Sequence, residues 1–533
     1  MGKASRAKRT ATAPAAAATA PTKPTKSAGS TKAVRPLRRA RSSASTAATM
    51  LMSAAPAEGI DRTIVGFGSG LAAVAATCWL LAHVPALAPV AIPAWVIMGL
   101  TLGFLVPWLG LLLTIAVVPF LGGATDPTYG EVLRVVPIYG AAARVLLDRF
   151  VLWPRLGRPG LAGPPWWAVA AAVAASALVA FTAQTGSAAV GTDPTFLDDG
   201  LHGLAGGPMA LMAAWIAASH LVAGRDRMLT TVVLATTVVA CTLALIAWAG
   251  APGMDLITFP ASVTIGNLTA RLAALGYPTP TAMGIATALP FAVAAALGYT
   301  RWLALGVIGL GLATMILTGS RGPLIAIGVG TVLAVLASGR VERRTWIAGF
   351  AVGAITIVCL VAIRYGTSID AIVQSLNDNA GGDLARVDTW VAAVAITIAS
   401  PLVGGGWRSL DRFGDFAQKA TSYAHDILLH GFSEGGLPLG ITNATVILYS
   451  AWQVWRRRHT MAPYLIAAAV TFLVCGFWDI PQVRSYAAVM GGIALGMAAG
   501  PLIGRVDERV GGVTAARATR RPASVPRPVD APA

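Results

Sequence analysis

The sequence predicts an all-α protein, a polytopic bundle of transmembrane helices, and three observations carry that reading. Of the 533 residues 56% are hydrophobic and 12% are charged, whereas an average soluble domain carries about 25% charged residues. Apolar runs of the roughly 20 residues needed to cross about 30 Å of hydrocarbon recur along the chain. The excess positive charge, formally +17, sits in the two tails and in short turns between those runs.

The tails come first because they bound the class of partner. Eleven Lys and Arg residues precede residue 60, against one acid, Glu58, and six Arg follow residue 504. Basic segments flanking spans are what orientation by cytoplasmic positive charge and attraction to anionic lipid produce. A membrane-lipid partner is therefore expected, and no nucleic acid. Residues 1–58 and 506–533 lack periodic hydrophobicity and are rich in Ala, Thr, Pro and Arg, so both are expected to be disordered cytoplasmic tails around one transmembrane domain over 59–505. The first apolar run begins near Ile64, behind the basic tail, which is not the layout of a signal peptide. Cys78, Cys241, Cys359 and Cys475 all lie inside apolar runs and read as buried packing thiols.

Connector charge then sets the sidedness of the spans. Arg155 and Arg158, the Arg225-Asp226-Arg227 turn, Arg340 to Arg344 and Arg456 to His459 are basic and expected inside; the loops near 185–207, 250–280 and 364–430 are poorer in Lys and Arg and expected outside. This threading gives spans near 64–84, 164–184, 208–223, 229–249, 281–298, 301–317, 322–338, 346–363, 431–453, 461–478 and 485–504. Pro93, Pro107 and Pro119 either break 88–122 into two short helices or kink one long one. The segment 130–153, with Arg134, Arg144, Asp148 and Arg149, is either a span or a cytoplasmic amphipathic helix. The total is about 12 or 14, an even number that leaves both tails on the cytoplasmic side of the cell membrane.

Several glycine patterns are structural. Gly66, Gly68 and Gly70 form GxGxG inside a span with no βαβ unit around it, so they do not read as a nucleotide loop. Gly492, Gly496 and Gly500 recur every four residues, the spacing of close helix packing. No Walker loop, HExxH or paired-cysteine pattern occurs, and neither a metal nor a cofactor is expected.

Arg321 is where the sequence becomes specific. Residues 301–338 are apolar almost throughout, except Thr318-Gly319-Ser320-Arg321-Gly322. With Arg301 and Arg340 inside, this break falls at the outer surface. An Arg at the centre of a span costs about 2.5–3.5 kcal/mol on insertion scales. It is either a snorkelling residue that marks a helix hairpin or an anion contact. The second reading has chemistry behind it, because guanidinium binds phosphate bidentately and a helix N-terminus favours anions.

The outer loop at 364–430 carries the remaining polar groups. Arg386 opens an apolar stretch, Gly404-Gly405-Gly406 allows unusual backbone, and His425-Asp426-Ile427-Leu428-Leu429-His430 is followed by Glu434-Gly435-Gly436. His425 and His430, five apart, point about 140° apart around a helix, which does not suit a shared metal. A histidine at the membrane face suits proton acceptance; it also suits a plain loop hydrogen bond.

These residues resemble a family. TGSRGP at a helix hairpin, ARVDTW through SPLVGGGW, and SYAHDILLHGFSEGGLPLG are together similar to the O-antigen ligase/polymerase superfamily of membrane glycosyltransferases. The similarity covers about 265–500, in order. A fourth segment, NLTARLAALGYPTPTAMG, departs from the family pattern: a threonine follows each proline where an asparagine is usual. The resemblance implies a lipid-dependent glycosyltransferase fold and an inverting, metal-independent transfer. The donor would be a polyprenyl-diphosphate-linked glycan and the acceptor a hydroxyl on a glycan, lipid or protein. It assigns Arg321, Arg386 and Arg271 to the diphosphate, His425 to the general base, and Glu434 to orienting or backing up that base.

Other readings make different demands. A secondary transporter places charges at midplane on broken helices, whereas the polar groups here gather outside. A glycan polymerase of the cell-shape type would rely on a loop Asp. A scaffold would need none of these groups.

Overall fold

In the computed structural model the chain divides into two units, Met1–Val65 and Gly66–Ala533. The structure describes residues 88–120, 133–152, 205–222, 225–250, 262–263, 271–273, 275, 278–338, 386–406, 410, 424–479 and 484–500, all within the second unit. The expected spans at 64–84, 164–184 and 346–363 and both tails lie outside the described residues.

Helices dominate, as the composition predicts. They are α1 (Ala88–Leu105), α2 (Pro107–Val117), α3 (Val136–Leu147), α4 (Ala210–Leu221), α5 (Asp226–Trp248), α6 (Pro278–Leu297), α7 (Arg301–Leu317), α8 (Arg321–Ser338), α9 (386–399), α10 (Ile427–Arg457), α11 (Pro463–Trp478) and α12 (Ser485–Ala499). A single short hairpin pairs β1 (Ser262–Val263) with β2 (Arg271–Leu272), antiparallel, Val263 opposite Arg271, among the described residues. One of the two open questions of the N-terminal half, the form of 88–122, resolves here. Pro107 divides 88–122 into α1 and α2, with Pro93 carried inside α1. The 130–153 segment is a helix, α3, running into a π-helical turn at Asp148–Leu152, with most of α3 buried.

The α5 and α6 helices are long and apolar enough to cross a membrane, and α2, α3, α7, α11 and α12 are shorter apolar helices. Their outward faces are apolar: Ile325 is 59% exposed, Leu336 63% and Trp302 82%, while Thr318, Ser320, Ser433 and Glu434 are buried. That is the inverse of a soluble protein and is the surface a lipid solvent requires.

Small residues set the contacts. On α12, a methyl group added at Gly492 would sit 2.4 Å from the Leu211 carbonyl oxygen, at Gly496 2.6 Å from that of Trp215, and at Gly500 2.6 Å from that of Ser219. The four-residue repeat is thus the seam of a parallel α4–α12 pair. The α8 and α11 helices run antiparallel: Gly330 meets Thr471 and Ala467, Thr471 Oγ1 donates to the Ala326 carbonyl, and His459 before α11 reaches Ala337 at the end of α8. Extending that register brings Arg321, at the start of α8, alongside the last turn of α11.

The bundle has two unlike ends. At one lie Arg144 and Arg149, Arg225 and Arg227, Arg301, and Arg456 to Arg458, with Asp148 and Asp226 as the acids among the described residues. The other holds the Thr318–Arg321 corner, Arg271, His425 and Asp479.

Candidate active site

The corner between α7 and α8 is built by its sequence. Thr318 ends α7 and its hydroxyl bonds back to the Met315 carbonyl; Gly319 turns the chain at φ 66°, a left-handed conformation glycine adopts without strain; the Ser320 amide then donates to Thr318 Oγ1. The guanidinium of Arg271, delivered by β2, closes this corner from outside. Its Nε donates to the Thr318 carbonyl at 2.6 Å and its Nη2 to Ser320 Oγ at 2.9 Å. Thr279, standing near where the family pattern has asparagine, accepts from Ser320 Oγ at 3.2 Å and lies 3.5 Å from Arg271 Nη2. Arg271 is therefore bonded to the corner that immediately precedes Arg321.

His425 is the only residue other than glycine with positive φ among the described residues, at 50°. Such a conformation costs of order 1–3 kcal/mol and is kept where surrounding structure over-determines it. What holds it is visible on both sides. Asp426 caps α10, its Oδ1 accepting from the amides of Leu428 and Leu429 at 2.9 Å each; burial pushes this carboxyl up, partly offset by the same two amides. On the other side, His425 Nδ1 lies 3.0 Å from Asp479 Oδ1, immediately after α11. A carboxylate only accepts, so Nδ1 carries the proton, and in the neutral ring Nε2 keeps its lone pair.

Glu434, expected to orient or back up His425, pairs with His430. It lies one turn beyond His430 on α10, so the i,i+4 geometry of a helix places it on that imidazole: His430 Nε2 to Glu434 Oε2 is 3.1 Å, with both side chains 2% exposed. The carboxylate on His425 is Asp479, which sequence reasoning missed.

Arg386 opens α9, and that helix is tied to the histidine segment twice. Ala392, Ala393 and Ile396 pack with Ala424 beside His425 and with Leu410. Beyond α9, the 400–406 loop interlocks with the kink in α10 backbone to backbone: Gly405 N donates to Ser433 O at 2.7 Å, Gly406 N to Glu434 O at 3.0 Å, and Leu437 N to Pro401 O at 2.7 Å. Gly404 (φ 66°) and Gly436 (φ 63°) face each other across this contact; a methyl on Gly404 would come within 2.5 Å of the Glu434 carbonyl. The two glycine runs in the sequence are halves of one joint.

Residues 304–444 match the family model of the O-antigen ligase. Over that stretch the chain is similar to the O-antigen ligase family. The matched stretch runs from α7 to α10 and contains Arg321, Arg386, His425 and Glu434, while Arg271 and Asp479 lie outside it on either side. No curated protein matches the chain. This similarity supports, in general terms, a membrane-integral enzyme of the glycosyltransferase type in surface-polysaccharide biosynthesis. The Arg271–Arg321 corner and the His425–Asp479 pair stand at the same end of the bundle, by the α8–α11 register.

Proposed function

We propose that the protein transfers a glycan from a polyprenyl-diphosphate donor to an acceptor hydroxyl, with inversion and without a metal, at the outer face of the cell membrane. The observation that carries the reading is the His425–Asp479 pair at the end of α11, level with the start of α8 where Arg271 clamps the Arg321 corner.

In this reading the acceptor hydroxyl gives its proton to His425 Nε2 while its oxygen attacks the anomeric carbon. The bond from that carbon to the donor phosphate oxygen breaks, and polyprenyl diphosphate leaves with the electron pair. Asp479 holds the imidazole in the tautomer that exposes Nε2 and stabilises the imidazolium that forms. Arg321 and Arg386 supply positive charge where the phosphate anion develops; Arg271 fixes the corner that presents Arg321 and adds charge behind it. Glu434, through His430 and the glycine joint, keeps the α10 kink in shape. The basic end faces the cytoplasm, together with both termini, in accord with the charge bias of the connectors.

The test is the lipid-linked glycan pool in cells expressing wild type, His425→Ala or Arg321→Ala. Both variants are expected to insert normally and to accumulate unused donor. Wild-type levels of long glycan in both would refute the mechanism.

A further inference from the structure

One tryptophan of α9 holds a hydrogen-bond donor that the protein leaves unused. An indole N–H only donates, and an enclosed one normally finds an acceptor. Trp95 Nε1 donates to the Leu133 carbonyl at 2.9 Å and Trp215 Nε1 to Ser450 Oγ at 3.3 Å. Trp390 Nε1 is shut away from solvent and has no acceptor, the one indole of that kind among the described residues. Such a group marks a place where something other than the protein completes the bond.

The position of Trp390 on α9 indicates what. At about 100° per residue, Ala392, Ala393 and Ile396 form the buried face of the helix, and Val387, Val391 and Ile398 an exposed apolar stripe opposite it. Arg386 and Trp390, both half-buried, lie one turn apart and about 40° from each other around the axis, on the flank between those two faces. A long side chain on a helix leans toward the N-terminus, which carries the indole back toward Arg386. In the next turn Ala393 packs in one cluster with Ala424, the residue before His425. The order along α9 is thus Arg386, Trp390, then the histidine segment. A transfer in which a diphosphate leaves and a hydroxyl attacks sets the donor's sugar between the leaving group and the base.

We propose that Trp390 binds the first sugar of the lipid-linked donor, its indole N–H donating to a sugar oxygen. The assignment rests on the reading above, in which Arg386 meets the diphosphate and His425 the acceptor. Arg386 cannot complete the bond itself, because a guanidinium only donates. A diphosphate oxygen is the other acceptor this flank would meet, and a ligand without the sugar tells the two apart.

Binding of two ligands to the purified full chain in vesicles tests this: the lipid-linked glycan extracted from His425→Ala cells, and bare polyprenyl diphosphate of the same chain length. Trp390→Phe keeps an apolar ring and removes the N–H. It is expected to weaken binding of the glycan donor by roughly five- to tenfold, the worth of one neutral hydrogen bond, and to leave binding of polyprenyl diphosphate as in the wild type. Trp390→benzothienylalanine, which exchanges only the N–H for sulfur, should give the same split and serves where the phenylalanine variant fails to fold. Equal weakening of both ligands puts the indole on the diphosphate or in the packing and overturns the proposal, as does unchanged binding of both. A wild type that binds neither ligand overturns the donor assignment itself, and the proposal with it.

Discussion

His425 Nδ1 and Asp479 Oδ1 stand 3.0 Å apart although 54 positions separate the two residues in the chain. The pair joins the residue that precedes the cap of α10 to the residue after α11, and it fixes which imidazole nitrogen is available to a substrate. Asp479→Asn removes the acceptor that sets the tautomer. It is expected to lower turnover substantially with little change in KM, by less than the roughly 10²–10⁴-fold loss from removing the base itself in His425→Ala. Steady-state kinetics on the two variants with a lipid-linked donor separates these effects.

Arg271 provides a second prediction. Its two bonds to the Thr318 carbonyl and Ser320 hydroxyl need a fork, which lysine cannot supply. Arg271→Lys should therefore lower both thermal stability and donor turnover, the stability loss being about 1.5–3 kcal/mol for a charged hydrogen bond. Thr279→Asn restores the residue usual in the family and retains a polar partner for the corner, so it should remain active. A melting curve and a turnover assay on each variant check this.

The glycine joint gives a third. Gly404→Ala and Gly436→Ala meet backbone atoms at 2.5 and 2.6 Å and both positions have positive φ, so neither is expected to yield a stable, monodisperse protein. Gly306→Ala, in α7 with nothing within 4 Å, should be neutral or stabilising by about 0.5–1 kcal/mol. Size-exclusion profiles and thermal melts distinguish them.

A fourth concerns the buried His430–Glu434 pair. Removing one partner leaves the other polar group buried without it, at a cost of about 1–3 kcal/mol, whereas replacing both with apolar residues of similar volume costs far less. His430→Leu and Glu434→Leu should each be less stable than the double variant. A double variant as damaged as the sum of the two would show that the pair is not a coupled unit.

Much of this was legible in the sequence. The apolar runs at 229–249, 281–298, 301–317 and 322–338 correspond closely to α5 through α8, because uncharged stretches of that length bounded by arginine and glycine have no other stable form in lipid. Arg321 stood out because a lone charge in an apolar run demands a reason. The i,i+4 spacing of His430 and Glu434 is also readable. Asp479 is not. It follows the α11 run as an ordinary polar residue, and only the antiparallel return of α11 along α8 carries it to His425. The partnership of the 404–406 and 435–436 glycines is hidden for the same reason: each run declares backbone freedom, and neither declares the other.

The most direct test of the account is release of polyprenyl diphosphate by the purified chain in vesicles, given a lipid-linked glycan donor and its acceptor. The wild type is predicted to release it in step with product, Asp479→Asn more slowly, and His425→Ala and Arg321→Ala at background. Release at the wild-type rate by His425→Ala would contradict the account.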